Sequence, residues 1–289
     1  MKRVIILTLY ILATFSCATR RELPVVQAPV GYELVWSDEF NIDGPPDTSA
    51  WSHETGFSRN EEIQWYQSAN AICRDGLLVI TARAETMPNP WFVPGSRDWK
   101  RNRERIEFTS SCIKTVGKKE FLHGRFEIRA RIPVAPGSWP AIWTLGREMP
   151  WPSNGEIDIM EFYRIKDVPH LLANTAWGTD TPWNARWDSA TIPLSRFTAN
   201  DPGWASRFHV WRMDWDEEAI RLYLDDELLN ETLLSGTRNG SIGNYTNPFH
   251  QPHYILLNLA VGSNGGPPEL SSFPLIYEID HVRVFQKKK

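Results

Sequence analysis

The sequence predicts an all-β chain folded as a sandwich. Strand-like runs of β-favouring residues recur along the 289 residues, with Gly- and Pro-containing turns between them. No stretch sustains a helical period. One run, Gly124–Ile132, alternates without a break. Phe126, Ile128, Ala130 and Ile132 fall on one face and Arg125, Glu127, Arg129 and Arg131 on the other. That is the period of a strand with one buried side.

Taken in order, the folded part is expected to open at Gly31–Trp36. Leu77–Ala84 follows the turn Arg74-Asp75-Gly76 as a second strand. The Pro- and Arg-rich stretch Thr86–Arg105 is too irregular for a strand. It is expected as a loop at the rim of a cleft, where Trp91 and Trp99 have two roles open, as aromatic platforms for a ligand or as structural packing. After Gly124–Ile132 come Phe208–Trp215, Ala219–Leu224, His253–Val261 and Tyr277–Phe285. Asp225-Asp226 reads as a hairpin tip leading into the short run Glu227–Leu229. No linker, internal repeat or low-complexity tract follows residue 30, so one domain is expected over 31–286.

A chain 42% hydrophobic and 23% charged can bury a full core. Its net charge is −4, and no basic stripe appears apart from the terminal Lys287-Lys288-Lys289, which argues against nucleic acid as a partner. The fourteen Trp are the compositional outlier; aromatic faces stack on pyranose rings, so the excess leans towards sugar binding. Lys2-Arg3 followed by the apolar run Val4 to Phe15 reads as an export signal, too short for a membrane span. Thr14-Phe15-Ser16-Cys17 resembles a relaxed bacterial lipobox. Residues 1–17 are therefore expected as a lipoprotein signal, Cys17 as the lipidated first residue and 18–30 as a tether. That address is the outer membrane or cell surface, with contact to membrane only through the lipid; ordinary cleavage and secretion is the alternative. A monomer is expected. Cys73 and Cys112 sit in separate strand-like segments, and both a disulfide and free buried thiols stay open. Neither a Cys-x-x-Cys pair, a His-Glu-x-x-His motif, a phosphate-cradling loop nor a Gly-x-Ser-x-Gly elbow is present.

The chemistry concentrates in Gly155-Glu156-Ile157-Asp158-Ile159-Met160-Glu161-Phe162-Tyr163. Read as a strand, Glu156 and Asp158 share one face, while Ile157 and Ile159 share the other. Strict alternation would send Glu161 to the opposite side. A one-residue bulge near Ile159-Met160 returns it to the face of the other acids, and bulges are frequent beside active sites. Two carboxyl groups about 5–5.5 Å apart can serve as nucleophile and acid/base of a retaining glycosidase. The competing reading is a solvated acidic face, but aliphatic residues fill the alternate positions and Trp139, Trp143 and Trp151 lie just upstream.

This stretch resembles the signature of glycoside hydrolase family 16, in the bulged form of its laminarinase-like β-glucanases. Leu34 to Asn41, Arg59 to Tyr66, Gly124 to Arg131, Trp139-Pro140-Ala141-Ile142-Trp143 and Ile279 to Val284 agree with the family in the same order. The resemblance sharpens the sandwich to a jelly roll whose concave sheet forms the cleft. It implies that Glu156 is the nucleophile, Glu161 the acid/base and Asp158 the hydrogen-bond partner of the nucleophile. It also implies that Trp139 and Trp143 stack against sugars on the non-reducing side, and that Arg59 and Asn60 donate to sugar hydroxyls. Asn174 and Trp177, on the next strand-like run, are expected to reach the subsites around the acids. Calcium is the one metal the resemblance admits: Glu39, the Gly76 carbonyl and Asp280 match a structural site of the family. No cofactor is required for the reaction. In place of the family's Gly-Gly-Asn-Trp-Pro-Gly, this chain has Gly262-Ser263-Asn264-Gly265-Gly266-Pro267, which lacks the cleft-side Trp. A mixed β-1,3/1,4-glucan then fits at least as well as laminarin.

The implied activity is that of an endo-acting, retaining β-1,3(4)-glucanase acting on β-glucan. Three alternatives remain: a galactan hydrolase of the agarase, carrageenase or porphyranase kind, a glucan-binding protein without catalysis, and a transglycosylase.

Overall fold

A computed structural model describes residues 26–288. The export signal, Cys17 and tether residues 18–25 lie outside the described residues. Two antiparallel-dominated sheets face one another. The first has ten strands, with a spine in the order Glu227–Leu233, Ala219–Leu224, His209–Trp215, Gly124–Arg131, Leu275–Lys287, Leu77–Pro88, Arg105–Ser110 and Gln64–Tyr66. Tyr32–Asp38 and Ala71–Arg74 branch from it. The second has eight, in the order Ala185–Pro193, Val168–Gly178, Glu156–Ile165, Ser138–Gly146, His253–Val261, Cys112–Lys114 and Ser52–His53, with Glu120–Phe121 at the side.

The core lies between the sheets, and the alternation of each strand supplies it. Phe126, Ile128 and Ala130 of the first sheet meet Ile142, Ile157, Phe162, Leu171 and Leu257 of the second, all fully buried in one apolar cluster. Burying such side chains is the dominant favourable term of folding, about 1.5–3 kcal/mol each. The opposite face of Gly124–Arg131 carries an ion-pair ladder. Arg125 binds Asp214 at 2.7 Å and Arg131 binds Glu278 at 2.6 Å, each pair directly opposed across neighbouring strands.

Several expectations hold closely, including Ala219–Leu224 and His253–Val261 residue for residue. Asp225-Asp226 forms the hairpin tip with both residues at positive φ, 46° and 68°, as a tight two-residue turn requires. The strand after it runs beyond Leu229 to Leu233. The Thr86–Arg105 stretch is shorter as a loop than expected. The preceding strand continues to Pro88 and pairs it with Arg105. Trp91 and Trp99 do not serve the cleft: Trp91 packs on Trp65 at 4.6 Å between ring centroids and Trp99 on Phe57 at 6.0 Å. Cys73 and Cys112 are buried free thiols on different sheets.

The expected calcium ligands are engaged otherwise. Both Glu39 oxygens accept from Arg283, at 2.8 and 2.7 Å. Asp280 accepts from His281 and Arg129, each at 3.0 Å, and these hydrogen bonds hold its carboxyl below the usual range. Gly76 sits at φ +76° in the turn before Leu77. No cluster of three or more metal-ligating side chains forms among the described residues. As placed, Glu39, Gly76 and Asp280 do not fit a divalent ion, because guanidinium groups already neutralise both carboxylates.

Candidate active site

The outward face of the eight-stranded sheet carries a cleft of about 870 Å³. The strand Glu156–Ile165 crosses its middle. Gly155 leads into that strand at φ +78°, and a Cβ there would meet Pro248 at 2.8 Å, so glycine is required. Across the next strand, Asp158 opposes Asn174 and Glu161 opposes Leu172, so two residues of one strand face a single residue, Ala173, of the other. Across the preceding strand, Met160 opposes Ile142 and Asp158 opposes Trp143, leaving Ile159 as the inserted residue. Ile159 and Met160 both enter the apolar core, and Glu161 returns to the cleft. The bulge falls where the sequence required it.

Each acid has its own partners. The Trp151 indole N–H donates to Glu156 Oε2. Asp158 also hydrogen-bonds Glu156. Trp139 Nε1 donates to Glu161 Oε1 at 2.9 Å. Asn174 Nδ2 lies 3.2 Å from Glu161 Oε2 and 3.3 Å from Asp158 Oδ2, linking the two. Burial pushes all three carboxyls up. Asp158 rises furthest above its ordinary value, because Glu161 and Glu156 add repulsion to burial. That shift favours its protonated form, the form that can give a hydrogen bond to Glu156. Against its own burial, Glu156 is drawn back down by Trp151, by Asp158 and by the Arg59 charge. Burial lifts Glu161 to about 7. Hydrogen bonds and the Arg59 charge that partly offset burial at Glu156, beside a Glu161 that holds its proton near neutrality, give the division of labour that glycosidic cleavage needs.

Trp139 and Trp143, four residues apart on one strand, both line the cleft together with Ala141 between them. Trp143 Nε1 donates to Asn258 Oδ1 at 2.7 Å, and Asn258 Nδ2 to the Tyr66 hydroxyl at 3.1 Å. The Arg59 guanidinium lies 5.1 Å from the centre of the Trp143 ring and pairs with Glu54; its Nη1 has no hydrogen-bond partner. Asn60 Nδ2 donates to Glu62 at 3.2 Å. Arg59, Asn60 and Asn174 thus reach the cleft.

Trp177 does not. It stands three residues from Asn174, an odd step on a strand, so its ring faces the core. Residues not assigned to the site from sequence also line it: Trp151, Glu62, Tyr163, Trp187, Ser263 and Asn264. A signal existed for Glu62. Glu62, Gln64 and Tyr66 recur with period two, and both Gln64 and Tyr66 donate to Glu62, at 2.6 and 3.3 Å. For Trp151 the signal was only its place just upstream of the acids, because it sits in a turn before the strand and no periodicity governs its direction.

A two-sheet sandwich with a Trp-lined cleft and buried acids on a bulged strand defines a polysaccharide-hydrolase class of protein. The chain belongs to the glycosyl hydrolases family 16, whose model matches residues 58–269. It is 36% identical over 275 residues to a β-glucanase of Rhodothermus marinus, covering 88% of this chain and 85% of that one. Among solved structures, one described with endo-acting O-glycanases of human gut microbiota that initiate mucin breakdown superposes with a TM-score of 0.80 at 32% identity, over 92% of this chain and 94% of the other. A non-specific endo-β-1,3(4)-glucanase of the family superposes with a TM-score of 0.71 at 29% identity, over 91% and 94%.

Proposed function

We propose that this protein is an endo-acting, retaining β-glucanase that cuts β-1,3- and mixed-linkage β-1,3/1,4-glucan. The observation that carries the proposal is the bulge at Ile159, which sets Glu156 and Glu161 on one cleft face, Glu156 beside Trp151, Asp158 and the Arg59 charge and Glu161 beside Trp139 and Asn174. Glu156 attacks the anomeric carbon as Glu161 passes its proton to the departing glycosidic oxygen. The glycosyl-enzyme is then opened by water, which gives a proton to Glu161 as its oxygen displaces Glu156. Asp158 holds Glu156 in line through their hydrogen bond, and Trp139 and Asn174 aim Glu161. Trp143, Arg59 and Asn60 hold the sugars on the non-reducing side. The cleft face carries Glu62, Glu156, Asp158 and Glu161 against the single guanidinium of Arg59, a setting that favours neutral sugars over sulfated galactans.

A second reading, cleavage of β-galactosides in O-glycans, draws support from the O-glycanase superposition. Ser263 at the rim, with Gly265-Gly266 beyond it, also departs from the laminarinase loop, whose Asn is kept as Asn264. Incubation with laminarin, mixed-linkage glucan, agarose and mucin O-glycans in parallel separates the two readings. Azide tests the mechanism. Glu161→Ala, given a substrate whose leaving group needs no proton, is expected to be rescued by azide and to yield a β-glycosyl azide. Glu156→Ala is expected to yield the α-azide by single displacement. Exchanged configurations would reverse the two roles, and full activity in either variant would remove the strand from the mechanism.

A further inference from the structure

The edge strand Ala185–Pro193 carries an aromatic ring that no role above uses. Alternation turns Trp187, Ser189 and Thr191 to the cleft face, and all three line the cleft. Trp187 is 48% exposed and its ring meets no aromatic or cationic partner among the described residues. Leaving half of an indole in water forgoes much of what its burial would contribute, so an exposed one on a binding face has a use to be sought.

The register states where it lies. Glu156 opposes Ala176, and Ala176 opposes Trp187. In that row only the methyl group of Ala176 stands between the carboxyl and the indole. Two strand spacings separate them, about 10 Å, which is roughly the reach of two pyranose units. Asp158, Asn174 and Ser189 form the adjoining row, so hydroxyl and amide groups flank the same path. Trp143, Arg59 and Asn258 lie on the other side of the Glu156–Ile165 strand. A glycan crossing that strand from Trp143 therefore leaves over the edge strand.

We propose that Trp187 is a stacking platform for the leaving-group part of a neutral β-linked glycan, about two sugars beyond the scissile bond, with Ser189 and Thr191 presenting hydroxyls to the same segment. This rests on the reading that the sugars held by Trp143 are those on the non-reducing side. An endo-acting enzyme gains from such a platform, because interactions remote from the reacting carbon position the chain across the acids.

The test is a length series of oligosaccharides, labelled at the reducing end and prepared from whichever polysaccharide the wild type cuts. Trp187→Ala is expected to raise KM about tenfold, the change that 1.4 kcal/mol gives, for oligomers long enough to reach the edge strand. It should also move the preferred cut towards the reducing end. Trp187→Phe should recover most of both effects. Trp183, 71% exposed but outside the cleft lining, is the control: Trp183→Ala should keep the wild-type length dependence and cut position. Wild-type KM and cut positions in Trp187→Ala would overturn the proposal. A shift of the cut towards the non-reducing end would overturn the assigned side. If the wild type cuts galactosides and not glucans, the glucanase reading fails while the same series on galactosides still decides the role of Trp187.

Discussion

At the scale of single residues, Glu161 links the chemistry to stability. Its carboxyl is lifted to about 7 by burial, from an ordinary 4.5. In its first step it must be a proton donor, so kcat/KM is expected to fall as pH rises through about 7. Stability moves the same way. A carboxyl raised on folding binds more protons in the native state than in the unfolded one, so its contribution is fully present below about 4.5 and lost as pH rises through about 7. Glu161→Gln removes that loss. The variant should be inactive, yet it should melt higher than the wild type at pH 8 and little differently at pH 4. In a chain of this size each kcal/mol regained adds about 2–4 °C. A difference that grows towards low pH would contradict this assignment of the proton.

At the scale of elements, the strand Val168–Gly178 divides its aromatic and polar residues by a single step of parity. Asn174 bridges Asp158 and Glu161, whereas Trp177 is built into the core between the sheets. Two truncations should therefore separate cleanly. Trp177→Ala is expected to cost about 3–5 kcal/mol in denaturant unfolding, the usual loss for a buried Trp, with KM of the folded enzyme little changed. Trp143→Ala, on the cleft face beneath Arg59, should cost less stability and raise KM. If Trp177→Ala raises KM as Trp143→Ala does, its ring takes part in binding despite its place in the core.

At the scale of the whole molecule, the strands of the ten-stranded sheet are tied to one another by arginine–carboxylate pairs at the positions where the family resemblance pointed to calcium. Arg283 takes both oxygens of Glu39, and Arg129 pairs with Asp280. Excess chelator is expected to leave the melting temperature unchanged within about 1 °C, whereas Arg283→Ala should destabilise by about 1–3 kcal/mol because it strands a partly buried carboxylate. A melt that rises with added calcium would mean that these carboxylates exchange their arginines for the ion.

The sequence by itself determined the class of fold, the strands with one polar face, and the bulge. Each follows from local periodicity: Gly124–Arg131 alternates without a break, and three acids in Glu156 to Glu161 can share a face only if one residue is inserted. It also pointed to Trp139, Trp143, Arg59 and Asn60 through the segments that resemble family 16, and to Asn174 through its place on the next strand-like run. Only the tertiary structure decided what depends on register between strands distant in sequence. Trp187 came to stand in the row of Glu156 because two hairpins aligned it there. Trp151 reached Glu156 from a turn, Trp91 and Trp99 found Trp65 and Phe57, and Arg283 met Glu39 across 244 residues of chain. Period-two alternation tells which way a side chain points within its own strand. The partner it meets is set by pairing between strands, and that pairing is an energy of the whole fold.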